Sequence, residues 1–320
     1  MTRRLGWLAG ALVVIGAPFA VSDYHVFQLT QLVVYAIAIL GLNLLTGFSG
    51  QISLGNGAFY AIGSYAATTL IGHGVPYWLV PPLAGAVSFV AGYLFGRPAA
   101  RLAGGGLGLA LATFALAVVT PQLLKLDSLA AWTGGSQGVI IDKPSSPLPM
   151  IVNDDQWLYL FCAIVAALLF LAARNIVRGR TGRALIALRD HPIAAAAMGI
   201  DTAHYKAAAF GVSALYTGVA GALGAIIAGF VSPDSFSFVL SIQLLVGGVV
   251  GGISSIGGTL FGAGFIELLP NVAKQLSDNA PGVIYGVLLI VCMKLLPGGV
   301  AGFVRSALPF YSRHSRYPRS

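Results

Sequence analysis

Long apolar runs, separated by short joints that carry glycine, proline or arginine, repeat along the whole chain. A helix needs about 20 mostly apolar residues to cross hydrocarbon. Runs approaching that length occupy 5–21, 29–46, 57–72, 77–96, 106–124, 156–173, 207–231, 239–253, 258–272 and 282–297. They are apolar on all sides, whereas barrel strands alternate polar and apolar positions. The pattern predicts an all-α fold, a polytopic integral membrane helical bundle of 8–10 transmembrane helices, some of them short or broken. Pro81-Pro82 and Pro121 fall inside two runs and are expected to bend them. One transmembrane domain is expected over 1–320, with an outer loop at 125–155, an inner loop at 174–206 and a tail at 298–320.

Composition narrows the class. Of the 320 residues, 57% are hydrophobic and only 9% charged, against about 25% charged in a soluble globular chain. That excludes a soluble enzyme, a nucleic-acid-binding domain and a disordered chain. The net charge of +8 follows the joints between runs. With a cytoplasmic N-terminus, Arg3, Arg4, Arg97, Arg101, the basic residues of 174–206, Arg305 and the tail arginines share one side. Lys125, Lys143 and Lys274 lie on the other, so the asymmetry places both termini in the cytoplasm. The first run, preceded by Arg3-Arg4, fits a retained span or a cleaved signal sequence; retention is the reading adopted here. Cys162 and Cys292 lie inside apolar runs and are expected to be free, buried thiols.

Three segments carry candidate function. Between Gly41 and Gly57, glycines and the polar residues Asn43, Thr46, Ser49, Gln51, Ser53 and Asn56 interrupt an apolar run. Non-helical backbone at membrane depth is tolerated where protein packs around it or where it lines a wet cavity. Asn43, Gln51, Ser53 and Asn56 are therefore candidate pathway-lining residues, with close helix packing the alternative. A weaker echo, Gly251-Gly252-Ile253-Ser254-Ser255-Ile256-Gly257-Gly258, hints at a duplicated architecture. Glu267, the lone acid inside an expected span, joins the pathway candidates.

The third segment is the inner loop. Residues 181–189 read as a short amphipathic helix, with Leu185, Ile186 and Leu188 facing one way and Arg183 and Arg189 flanking them. Asp190 is expected to cap a second helix that starts at Pro192, runs through Ala194 and Ala195 to Met198, and stops at Gly199. Two such helices form a compact cytoplasmic knob whose alanines offer a smooth docking surface. The chain has no Gly-Lys pair, hence no phosphate-binding loop, and no metal or nucleophile constellation, so it is not expected to be an enzyme or to hold a cofactor.

The order Gly182-Arg183-Ala184-Leu185, Leu188-Arg189-Asp190, Ala194-Ala195 and Met198-Gly199-Ile200 resembles the coupling loop of branched-chain amino-acid ABC-transporter permeases, in particular the longer of the two permease types. Gly41-Leu42-Asn43-Leu44-Leu45-Thr46-Gly47-Phe48-Ser49-Gly50-Gln51-Ile52-Ser53-Leu54-Gly55 is similar to that family's most recognisable segment. Thr133–Gly138, Gly229–Pro233 and Gly247–Gly258 also fit, so the resemblance covers about 30–300. Ile193 stands where the wider loop pattern has an acid, and Asn56 where many relatives have His or Gln. The resemblance implies a bacterial inner-membrane permease subunit. Its partners would be a second, shorter permease, two cytoplasmic ATPase subunits that bind the ATP, and a periplasmic amino-acid-binding protein. Gly182, Arg183, Arg189, Asp190, Ala194, Ala195 and Gly199 would form the ATPase-coupling loop. The substrate would be a branched-chain or related small amino acid, with urea and short-chain amides as neighbours. A self-sufficient secondary carrier is the alternative from the residues alone, and it would need ion-coupling groups in the spans beyond Glu267.

Overall fold

The computed structural model describes residues 21–102, 106–146, 153–276 and 298–307, with isolated positions at 16, 18, 286, 290 and 294. Every expected span inside those stretches is a helix. In chain order they are α1 (Asp23–Asn43), α2 (Asn56–Gly72), α3 (Val80–Leu102) and α4 (Gly106–Leu124). A single turn, α5 (Ala130–Thr133), precedes α6 (Asp154–Arg178), α7 (Arg180–Asp190), α8 (Pro192–Ala197) and α9 (Thr202–Ala228). The set ends with α10 (Phe238–Gly251), α11 (Gly258–Leu276) and α12 (Gly299–Ala307). Among the described residues, Asp23–Phe48, Asp154–Arg178 and Thr202–Ala228 are each long and apolar enough to cross a membrane alone. The expected spans 5–21 and 282–297, and Cys292, fall outside the described stretches; Cys162 is free and buried.

The centre of the bundle is α9, which packs against α3, α2 and α1. In turn, α1 contacts α6, α10 and α11. Small residues make this possible, because helices in lipid associate through close van der Waals contact. Cβ atoms added at Gly85, Gly92 and Gly96 of α3 would collide with Val219, Ala214 and Phe210 of α9. On the other side of α9, Gly41 of α1 lies against Tyr216 and Ser213. By contrast α6 is mostly exposed along its length, with Ile164, Leu168 and Leu171 facing outward.

Local signals set the helix ends. Asn153 and Gln156 form a reciprocal capping box at the start of α6, with Asp154 and Asp155 in the first turn. The Asp201 side chain accepts the His204 amide at the start of α9. The expected bend at Pro81-Pro82 does not occur: α3 begins at Val80, so both prolines sit in its first turn, where a missing N–H costs nothing.

The two ends of the bundle differ. At one end a two-stranded antiparallel ribbon, β1 (Val139–Ile140) with β2 (Phe230–Val231), ties the α5–α6 connection to the end of α9. The Ile141 amide bonds Gly229 O, and Lys125 pairs with Asp234. At the other end sits the α7–α8 knob.

Candidate functional site

The site at the knob end starts with two chain interruptions. The last turn of α1 opens into a π-helical turn, Leu44–Phe48, a distortion common at functional positions. Residues 50–55 then run without helix to α2, with Gly50 at φ +72°. The second interruption follows α10, where Gly252 has φ 107° and Ser254 has φ 68°. Among the described residues, Ser254 is the one non-glycine with positive φ, a conformation that costs an L-residue about 1–2 kcal/mol.

These interruptions, similar in sequence, lie against each other in space. A Cβ on Gly47 would stand 2.9 Å from the Ser254 Cα. Ser254 Oγ donates to Gly47 O at 2.6 Å. Asn43 Nδ2 donates to Ser255 O at 3.3 Å and lies 3.5 Å from Gly252 O. Side-chain donors beside each break thus reach main-chain carbonyls of the other.

All four polar residues expected along a pathway on this segment are buried. Asn43 is spent on the second interruption. Gln51 Nε2 reaches Ser49 Oγ at 2.7 Å and Lys206 O at 3.3 Å. Ser53 Oγ donates to Asn56 Oδ1 at 3.0 Å, and Asn56 Nδ2 reaches Ser213 Oγ and Thr217 Oγ1 on α9. These bonds stitch the segment to α9 and to the second interruption. Gly50 and Ile52 are its exposed members. Glu267 lies half-buried on α11.

The knob is more helical than the sequence predicts. Arg174–Arg178 are the last turn of α6, and Thr202–Lys206 the first turn of α9, so the inner loop shrinks to 179–201. The chain folds back sharply at Gly179, and Gly182 makes this possible: a Cβ there would strike the carbonyls of Ile176 and Val177. Arg183 Nη1 bonds Arg178 O, a cation on a helix C-terminal carbonyl. Ala184, Leu185 and Leu188 are buried against the bundle, Leu185 in a cluster with Leu45, Phe59 and Phe210.

Two expectations about the knob are corrected. Asp190 does not cap α8: His191 occupies the N-cap position, and no side-chain cap is made. The Asp190 carboxylate instead holds Arg189 Nε at 2.9 Å, because the neighbouring guanidinium is a stronger partner than a neutral amide. Nor is the alanine face uniformly offered outward. Ala195 is 4% exposed, whereas Ile193 and Met198 are 87% and 86% exposed. Gly199 ends the helix as expected, with φ +83°. The tip of the knob is therefore two large apolar side chains beside the exposed Ala194.

Sequence reasoning missed Ser213 and Thr217, and named Ser254 only as part of the 251–258 echo. Ser213 and Thr217 stand one helical turn apart within an otherwise apolar run, a spacing that marks a shared face.

A family model described as branched-chain amino acid transport system / permease component matches residues 24–293. The chain belongs to this permease family. It is 31% identical over 339 residues to the high-affinity branched-chain amino acid transport system permease protein LivM of Salmonella typhimurium, covering 98% of this chain and 78% of that protein. Against LivM of Escherichia coli the identity is 30% over 331 residues, covering 96% and 76%. Against the permease protein LivH of Escherichia coli it is 26% over 290 residues, covering 84% and 91%. No solved structure matches. The resemblance read from 41–55 and 182–200 is thus shown, and the stretch that defines this branched-chain permease family holds both interruptions and the knob.

Proposed function

We propose that this chain is a transmembrane subunit of an ATP-driven importer for branched-chain or related small amino acids, worked by separate ATPase subunits that dock on the α7–α8 knob. The observation that carries the reading is the tip: Ile193 and Met198 stand almost fully exposed, within and at the end of α8, while Ala195 of α8 and Leu185 and Leu188 of α7 are buried. Exposed large apolar side chains on a rigid support are what a partner's groove recognises. In the assembly, a second permease related to LivH completes the membrane part, two ATPases bind ATP beneath it, and a binding protein delivers solute at the ribbon end. This chain itself holds no cofactor and catalyses no reaction. Arginines crowd the knob end and acids the ribbon end, which supports a cytoplasmic knob and cytoplasmic termini in a bacterial inner membrane. Transport then requires that nucleotide bind the two access states of the complex with different affinity.

The test is purification of the assembled complex through a tag on this chain. Ile193→Asp with Met198→Asp is expected to lose the ATPase subunits while the chain still inserts in the membrane. Undiminished ATPase recovery from that variant would overturn the docking assignment.

A further inference from the structure

The knob and the two interruptions meet at one side chain. Arg189, at the end of α7, places Nη1 2.8 Å from Gly47 O in the π turn and 3.3 Å from Ser254 Oγ in the second break. Its Nε is held by Asp190. Its stem lies along Gly50, where a Cβ would stand 2.7 Å from Arg189 Cγ. The Gly47 carbonyl closes a helix C-terminus, so a guanidinium there also meets the negative end of the helix dipole. Ser254 keeps its left-handed backbone while its hydroxyl donates to the same carbonyl. One cation thus ties three segments distant in sequence, and each contact is charge-assisted and directional.

We propose that Arg189 is a positioning residue that locks the knob to both chain interruptions, so that a displacement of α7–α8 moves the π turn and the Gly252–Gly257 turn together. The inference rests on the docking reading for the origin of that displacement, but the lock is a property of this chain alone. Asp190 serves it by orienting the guanidinium. Of the groups on the knob, Arg189 is the one whose side-chain bonds reach both breaks; Arg183 bonds back to the Arg178 carbonyl at the end of α6.

Two measurements test this. In the purified chain, hydrogen exchange of Arg189→Gln is expected to accelerate at both 44–55 and 252–257 by roughly tenfold, the order expected for losing a charge-assisted bond. Arg189→Lys, which keeps a cation but not the fork, should restore part of the protection. Exchange unchanged at either break overturns the lock. In the assembled complex, transport per ATP hydrolysed by the ATPase subunits that co-purify should fall about tenfold in Arg189→Gln. Wild-type transport per ATP would also overturn it. Absence of ATPases from the wild-type complex would instead sink the docking reading and leave the exchange result to decide the lock. Should Arg189→Gln fail to accumulate, Ser254→Ala removes one arm with the guanidinium kept. It should raise exchange at 252–257, and no change there counts against the proposal.

Discussion

Gly63 of α2 and Gly218 of α9 lie backbone against backbone: a Cβ added to Gly63 would run into the Gly218 carbonyl and Cα. On its other side Gly218 faces Ser88 of α3, so three helices converge on one residue without a side chain. No flexible tip is available to move aside at Gly63, because the obstructing atoms are main chain. Gly63→Ala is therefore expected to force α2 and α9 apart and to destabilise the bundle by about 1–3 kcal/mol, the usual scale of overpacking. Gly72 of α2 has nothing near its missing Cβ and no positive φ, so Gly72→Ala should leave the thermal midpoint in detergent unchanged or slightly raised. Equal midpoints for the two variants would contradict this packing.

Asn56 offers a second check, on polar stitching. Its amide bridges Ser213 and Thr217 while its carbonyl oxygen accepts from Ser53. Asn56→Ala leaves those three hydroxyls with fewer partners in a buried place, a loss of about 1–3 kcal/mol. Asn56→Asp should be worse, since a carboxylate cannot donate to the two hydroxyls and would bring a charge into the interior. A thermal midpoint for Asn56→Asp above that of Asn56→Ala would refute the assigned bonds.

On the knob, neighbouring alanines should behave oppositely. Ala195 is buried on the inner side of α8, and Ala194 is exposed beside Ile193. Ala195→Leu is expected to deform the knob at a cost of about 1–3 kcal/mol, visible as faster proteolysis at 190–201. Ala194→Leu should leave proteolysis unchanged and alter only ATPase recovery. Matching proteolysis of the two variants would put Ala195 on the surface.

The sequence made the spans legible because an apolar run of membrane length has few alternative folds, and helices begin and end close to the runs read for them. It also exposed the knob, since Pro192 and Gly199 are strong punctuation for a short helix. What it hid were destinations. Asn43 and Asn56 read as polar breaks in lipid, but their partners, Ser255 more than 200 positions away and the Ser213–Thr217 pair on α9, exist only after the helices pack. Asp190 sits in a good capping position by local rules, and the adjacent Arg189, anchored to Gly47, draws it off. The echo between 41–57 and 251–258 was readable as similarity; that the two copies touch was not.

The ribbon end gives a last prediction, one that separates two glycines of the same turn. Gly135 has φ +57°, with Ala130 Cβ 3.5 Å from where its own Cβ would be, and an L-residue occupies that left-handed region at about 1–2 kcal/mol. Gly138 has φ 78° and ψ −174°, a region open essentially to glycine alone. A Cβ there would also meet the Val231 carbonyl and stand 3.0 Å from the Phe230 ring, which are the two residues paired with β1. Gly138→Ala should thus part the β1–β2 ribbon, free the connection before α6 from the end of α9, and expose 139–146 to protease. Gly135→Ala should keep the ribbon and lose only a little stability. If protease cuts 139–146 equally in both variants, the ribbon does not depend on the backbone conformation of Gly138.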